Sequence, residues 1–475
     1  MDALDPHICR QARLSRDPRF DGEFFLAVIT TGIYCRPICP ARSPREDNVR
    51  YYRSAAEAAN QGYRPCLRCR PESAPHSPAW QGTSTTVTRA LQLINEGYLN
   101  SGSLTSLARK LGVGVRYLRK LFAQQLGVAP SVVAQTQRLH LAQKLLLETD
   151  MPITDIAFSS GFGSVRRFNS ATLQNFGCSA SDLRRKRPGL QADSGITLQL
   201  AYRPPYDWPG VVDFFRRHTV PVLEQTTDNS YQRNLRTERG LAQIRVSPHP
   251  HKSALNLHVK LSDSSELMSV VATVRRMFDL DAQPDKIRES LQRDTLLAAL
   301  LVKTPGVRSP TVSSVFESCV RAVLGQQISI EAARRLNERL VIACDSFLEQ
   351  AGEKFAVFPL PQQLAALPDA ALPMPASRRN TLRSICHYFA DSPAETPQQV
   401  QEDLLALKGI GPWTISVLAM RGFGDPDCFP LSDLGLIKAA NSLQPLTKNE
   451  LKTRTEQWKP WRSYAANLLW RTLNK

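Results

Sequence analysis

The sequence predicts a multidomain α+β protein. It should comprise a small zinc domain, an all-α domain of two helix-turn-helix units, a small antiparallel β-sheet subdomain and an all-α domain built around a helix-hairpin-helix. Three observations predict this. Four cysteines, Cys35, Cys39, Cys66 and Cys69, crowd into one short segment of a 475-residue chain that has ten in all. Two stretches about 50 residues apart repeat one order: apolar helix, glycine turn, basic helix. Beyond about residue 196 the apolar pattern first alternates as in strands, then takes helical spacing broken by prolines. At roughly 100 to 200 residues per domain the length allows three or four domains, each able to bury a core.

Charge narrows the class. The net charge is +17, and residues 1–190 hold 26 Lys and Arg against 14 Asp and Glu, so most of the excess lies there. A basic front portion points to a polyanion, of which nucleic acid is the usual one; the plain alternative is a solubility charge. No apolar run reaches the 18 or so residues of a membrane span, and the first residues lack an apolar signal core. The expected location is the cytoplasm, with no membrane partner.

The first element is the cysteine segment, 1–73. Cys35 and Cys39 have three residues between them, and Cys66 and Cys69 have two. Such pairs clip one zinc ion between short turns, with four cysteine ligands. Four thiolates leave the site formally at −2, which Arg36, Arg42, Arg64, Arg68 and Arg70 would temper. By spacing alone a purely structural zinc is the preferred reading. A Pro-, Ser- and Gly-rich linker follows over 74–84.

The second element is the duplicated region, 85–188. Leu104, Leu107, Ala108 and Leu111 make one apolar face, Gly112 turns the chain, and Val115, Leu118, Leu121 and Phe122 face the core from the next helix. Arg116, Arg119 and Lys120 are left outside. In the second copy Val165, Phe168 and Leu173 are expected inside, with Ser164, Arg166, Arg167 and Asn169 outside. A basic second helix in such a unit is the one that enters a major groove. Two helical hairpins with solvated basic faces are the alternative.

After a linker, 189–196, "ITLQLAY", "LAQIRVS" and "SALNLHVKL" read as strands of a subdomain over 197–310. From about Glu266 onward the chain reads as helical, with a last domain over 311–475. There "LLALKGIGPWTISVLAMRGFG" places Gly409 and Gly411 in a helix-hairpin-helix turn whose backbone N–H groups can face a phosphate. Asp433 falls near a helix start, and Trp458 and Trp461 read as core. Cys319, Cys344, Cys386 and Cys428 are isolated and read as packing residues.

These motifs carry resemblances. Residues 10–73, with "GIYCRPICPAR" and "YRPCLRC", are very similar to the zinc domain of the bacterial Ada regulators of the adaptive response to alkylation. That implies that Cys35 accepts a methyl group from a DNA phosphotriester and that Thr31, Arg42, Arg64 and Arg68 contact DNA. The duplicated region resembles the AraC-type DNA-binding domain, with "SVVAQTQRLHLAQKLLLET" as the helix joining its units. The Pro-Cys-His-Arg methyltransferase motif that ends Ada proteins is missing. Instead, residues 197–475 closely resemble DNA-3-methyladenine glycosylase II of the AlkA type. The resemblance makes Asp433 the catalytic carboxylate and Trp413 and Trp470 the walls of the base pocket. It puts Gln327 where some members carry a leucine wedge and Val417 where a pocket tyrosine can occur. It also implies a monovalent cation at the hairpin.

The expected whole is a methyl-phosphotriester sensor and transcriptional activator fused to a glycosylase that hydrolyses alkylated bases such as 3-methyladenine from DNA. Its partners would be damaged and promoter double-stranded DNA and RNA polymerase. Two rivals stand beside it: a regulator whose C-terminal half is only a nonspecific DNA clamp, and a repair enzyme whose front half only anchors it.

Overall fold

The computed structural model describes residues 5–66, 68, 69, 71, 85–185, 195–391 and 397–473. The expected linker 74–84, most of the linker 189–196 and Arg70 lie outside these residues. The chain divides into two compact units, Met1–Arg203 with His249–Thr273, and Pro204–Pro248 with Val274–Lys475.

The first unit begins with α1 (Pro6–Ser15), capped by Asp5, whose carboxylate accepts from the backbone of His7 and Ile8. A four-stranded sheet follows, β1 (Phe25–Val28), β2 (Ile33–Cys35), β3 (Val49–Tyr52) and β4 (Arg64–Pro65), in the order β3-β1-β2-β4. All pairings are antiparallel except β2 with β4. Its short core is Phe25, Ala27 and Tyr34 packed on Ala55 and Ala58 of α2 (Ala55–Asn60).

The α-helices that follow among the described residues are α3 (Thr85–Asn95), α4 (Tyr98–Ser101), α5 (Leu104–Lys110), α6 (Val115–Leu126), α7 (Pro130–Glu148), α8 (Ile153–Ser159), α9 (Val165–Phe176) and α10 (Ala180–Arg185). The duplication is real at the level of backbone. α6 and α9 each have 12 residues, and each stops at a glycine with positive φ, Gly127 at 74° and Gly177 at 69°. Leu107, Leu118 and Phe122 are fully buried in the first copy, and Ile156 and Phe168 in the second. Leu173 departs from expectation: it is 58% exposed, and Ala171, Thr172 and Phe176 face inward instead. At 100° per residue Leu173 lies 140° around the helix from Phe168, outside the buried stripe. α7 joins the copies and is buried along much of its length. The strands Ile196–Ala201 and Ala254–Leu261 pair antiparallel at the end of this unit.

The second unit holds the strands Glu224–Thr226, Tyr231–Thr237 and Gly240–Pro248, paired antiparallel in that order, and a mostly helical remainder. The reading of 266 onward as helix needs one correction. Phe347–Gln350 and Glu353–Ala356 form a β-hairpin. Its two-residue turn is Ala351 and Gly352, at φ 54° and 82°. A turn of this kind normally carries Asn-Gly or Gly-Gly, so Ala at its first position hid the signal. Trp458 and Trp461 are core residues, as expected, and the Trp458 indole donates to Asp294. Cys319 and Cys386 are fully buried, and Cys344 and Cys428 are half-buried.

Candidate functional sites

In the first unit β2 ends on Cys35, and the turn after it carries Cys39. β4 is followed at once by Cys66 and Cys69, and its parallel pairing with β2 brings the two cysteine pairs face to face. The four Sγ atoms lie within 4.8 Å of one another. Cys39 Sγ and Cys66 Sγ are 3.9 Å apart. A tetrahedral zinc with Zn–S bonds of about 2.3 Å sets sulfurs about 3.8 Å apart, so the donor set fits zinc. Three of the cysteines are buried and Cys39 is half-buried. Hydrogen bonds among the sulfurs hold the Cys66 thiol far below its ordinary value, while the one to Cys39 pushes Cys35 up.

The arginines around the site do different things. The Arg36 backbone N–H reaches Cys69 Sγ at 3.3 Å, while its buried guanidinium is engaged by Asp21 and by the Cys69 carbonyl. Its charge is therefore spent on a carboxylate and does little to offset the thiolates. Thr31, Arg42, Arg64 and Arg68 are exposed. Arg64 lies against the glycine that ends α9: a Cβ on Gly177 would stand 2.6 Å from Arg64 Nη1. Glu57 of α2 does the same at the end of α6, 2.8 Å from a Cβ on Gly127. Between them the Tyr34 hydroxyl, one residue before Cys35, meets His140 Nε2 of α7 at 2.8 Å in a buried contact. On the helix-turn-helix copies Arg116, Arg119, Lys120, Arg166, Arg167 and Asn169 are all exposed.

In the second unit three residues far apart in sequence meet. Asp433 caps the helix Leu434–Leu443, and its Oδ1 accepts from the Leu436 N–H at 2.9 Å. The Trp413 indole N–H donates to Oδ2 at 2.9 Å and the Trp470 indole N–H to Oδ1 at 3.0 Å. All three residues are half-buried. The carboxylate is thus oriented by two indole N–H groups and a helix N-terminus.

Backbone requirements support the arrangement. A Cβ on Gly435 would stand 3.0 Å from Asp433 Oδ1 and 3.5 Å from Trp470 Nε1. Gly409 has φ 93°, and a Cβ there would strike Thr381 Oγ1 at 2.1 Å. Gly411 has φ −119° and faces open space, so the protein itself does not demand glycine there. The Gln326 amide donates to the Gly409 carbonyl at 2.9 Å and Thr414 Oγ1 at 3.0 Å, tying the loop of Gln327 to the hairpin. Gln327 is exposed, with φ 57°. Sequence reasoning overlooked Gln326 and Gly435. Their neighbours in "GQQ" and "SDLG" were the available signal.

Three stretches of the chain match known families. Residues 8–72 match the metal-binding domain of Ada, 107–186 a helix-turn-helix domain and 197–314 the AlkA N-terminal domain. The chain is 39% identical over 478 aligned residues, covering 98% of it and 96% of the relative, to the probable bifunctional transcriptional activator/DNA repair enzyme AlkA of Mycobacterium tuberculosis. It is 33% identical to DNA-3-methyladenine glycosylase 2 of Escherichia coli, over 58% of this chain and 96% of that one. The fold of the 3-methyladenine DNA-glycosylase from Archaeoglobus fulgidus superposes with a TM-score of 0.50 at 18% identity, covering 57% of this chain and 96% of that chain. A zinc-type cysteine cluster, a duplicated helix-turn-helix and an indole-bracketed carboxylate on one chain, with end-to-end similarity of this kind, show that the protein belongs to the family of AlkA-type bifunctional transcriptional activators and DNA repair enzymes.

Proposed function

We propose that the chain senses methyl phosphotriesters in DNA, activates transcription in response, and hydrolyses alkylated bases such as 3-methyladenine from DNA. The observation that carries the glycosylase half is the Asp433 carboxylate held by the Trp413 and Trp470 indole N–H groups at 2.9 and 3.0 Å. A nonspecific clamp has no use for such a group.

On this reading a target nucleotide leaves the stack, and the two indoles receive the base. Alkylation at N3 or N7 makes that base cationic, hence both a good leaving group and a partner for electron-rich rings. Ionised Asp433 stabilises the positive charge that grows on the sugar as the bond to the base lengthens. Water then takes the anomeric carbon. Trp413 stands where strand-cutting members of this superfamily place a Schiff-base lysine, and an indole cannot form that adduct, so the reaction proposed is hydrolysis without strand cutting. Gln327 and the hairpin backbone at Gly409 and Gly411 hold the duplex. The carbonyls of Lys408 and Gly409 already accept from Thr381 and Gln326. Each would bring one remaining lone pair to a monovalent cation, which belongs to the same proposal.

In the first unit Cys35, Cys39, Cys66 and Cys69 would hold one zinc ion, which keeps coordinated thiols deprotonated at neutral pH. Cys35 Sγ takes the methyl carbon as the carbon–oxygen bond of the phosphotriester breaks, leaving a thioether and an ordinary phosphodiester. Water does not reverse this, so each molecule acts once. Thr31, Arg42, Arg64 and Arg68 would contact the backbone there, and Arg116, Arg119, Arg166 and Arg167 would enter promoter grooves, with RNA polymerase recruited next. The reducing cytoplasm suits free thiolates. The domain boundaries 1–73, 85–188, 197–310 and 311–475 are part of the same proposal.

The test is incubation of the protein with methylated duplex DNA, followed by analysis of released bases and of methylated residues by mass spectrometry. Free 3-methyladenine and one methyl on Cys35 are expected. Methyl on Cys39, the more exposed sulfur, would reassign the acceptor, and absence of free base would defeat the glycosylase.

A further inference from the structure

The glycosylase reading of the second unit leaves the half-buried charge of Arg421 without a task. Arg421 sits in the turn Ala419–Phe423, wound as a π-helix, a distortion frequent at functional sites. Its Nη1 donates to the Pro310 carbonyl at 2.7 Å and its Nη2 to Asn467 Oδ1 at 2.8 Å, both uncharged acceptors. The guanidinium carbon lies 4.4 Å from the ring centroid of Phe214 and 5.3 Å from that of Trp470. Burial pushes its pKa down to about 9, with Asp279 opposing through space. It therefore stays a cation at neutral pH, and among the described residues no carboxylate forms an ion pair with it.

We propose that Arg421 is a positioning and specificity-determining residue, which fixes the plane of Trp470 and biases the base pocket against cationic bases in favour of neutral ones. The inference rests on the reading of Trp470 as a pocket wall. Two physical effects carry it. Trp470 is gripped at its N–H edge by Asp433 and on a face by Arg421, which leaves the indole little freedom to tilt. The guanidinium also draws on the same ring electrons that would attract a cationic base. Whichever face the base takes, the charge lies within roughly 10 Å of it, and at a half-buried site like charges repel more strongly than in bulk water. A cationic lesion already has a good leaving group and can give up this affinity. A neutral modified base gains nothing from charge attraction and loses nothing to the guanidinium, so the preference for cationic bases narrows. Arg421 thus widens the accepted class toward neutral lesions.

The experiment uses the full-length protein in enzyme excess on duplexes carrying 7-methylguanine (cationic) or hypoxanthine (neutral) in one sequence context. Single-turnover release is read as the cationic-to-neutral ratio. Arg421→Met should raise this ratio about tenfold over wild type. Arg421→Lys, which keeps the charge and loses the planar fork, should slow both bases and leave the ratio within about twofold. Asn467→Asp supplies a carboxylate to the guanidinium without removing it, and should raise the ratio in the same direction as Arg421→Met. It keeps the test open should the methionine variant fold poorly. A ratio unchanged in a folded Arg421→Met or Asn467→Asp protein overturns the proposal, because a merely structural arginine would slow both bases alike. Failure of the wild type to release either base defeats the glycosylase reading and, with it, this role for Arg421.

Discussion

The two sites of this chain are built on opposite principles. The sulfur site draws all its ligands from residues 35–69, two short turns brought together by one parallel strand pair. The carboxylate site draws on residues 413, 433 and 470, each from a different helix or helix start. In the first, a metal would supply much of the order, since the buried apolar residues fall into three small clusters, one around Tyr34, one around Leu26 and Val49, and one around Phe24. In the second, order comes from packed helices. The difference teaches where each function is vulnerable: the sensor to loss of its ion, the glycosylase to changes of a few tenths of an ångström in its packing.

Removing the metal should break the comparison most sharply. Structural zinc supplies on the order of 10 kcal/mol of folding free energy to small domains. A chelator should therefore abolish methyl acceptance and collapse amide protection over residues 10–73, while release of alkylated bases continues. Intact protection of that segment after full zinc removal, measured by hydrogen exchange, would make the ion incidental to its fold.

Asp433→Asn attacks the other side. It keeps the size of the cap but removes the charge and turns one acceptor into a donor that faces an indole N–H. Excision should fall about a thousandfold with methylation of Cys35 unchanged. Excision within tenfold of wild type would remove Asp433 from the reaction.

Methylation of Cys35 sharpens the contrast in electrostatics. The formal charge of the sulfur site goes from −2 to −1 when a thiolate becomes a thioether. At an effective dielectric constant of about 20, loss of one unit charge at roughly 7 Å from a phosphate is worth about 2 kcal/mol before screening. That is about a thirtyfold gain in promoter affinity. Because the Debye length is about 3 Å at 1 M salt, the gain should fade as salt rises. Equal affinities of methylated and unmethylated protein at low salt would remove the switch. A gain indifferent to salt would point to rearrangement of the buried Tyr34–His140 contact instead.

The smallest effect probes packing at the carboxylate. Gly435→Ala places a methyl group 3.0 Å from Asp433 Oδ1 and 3.5 Å from Trp470 Nε1. The helix backbone suits alanine better than glycine, so thermal stability should hold or rise slightly while excision drops about tenfold. An unchanged rate constant would show that the carboxylate tolerates displacement.

Much of this was legible in the chain itself. The four cysteines announce their site because a metal clip needs only two short spacings, and spacing is what a sequence displays. The duplicated helices were legible for a similar reason. Their 3.6-residue period and terminal glycines are local, and α6 and α9 end at Gly127 and Gly177 as those signals require. Leu173 shows where such signals stop: its apolar type points inward, and its angle on the helix turns it outward.

What only the tertiary structure decided is which distant groups meet. That Asp433 accepts from two indoles, that Arg421 lies over Trp470, that Arg36 spends its charge on Asp21, and that Tyr34 meets His140 are long-range contacts. The sequence by itself determined the cysteine site and the two basic helices, because backbone periodicity and ligand spacing act over a few residues. The partner of each buried charge was decided by the fold, because a charge withdrawn from water is satisfied by whatever the packed chain brings within about 3 Å, and distance along the chain carries no information about that.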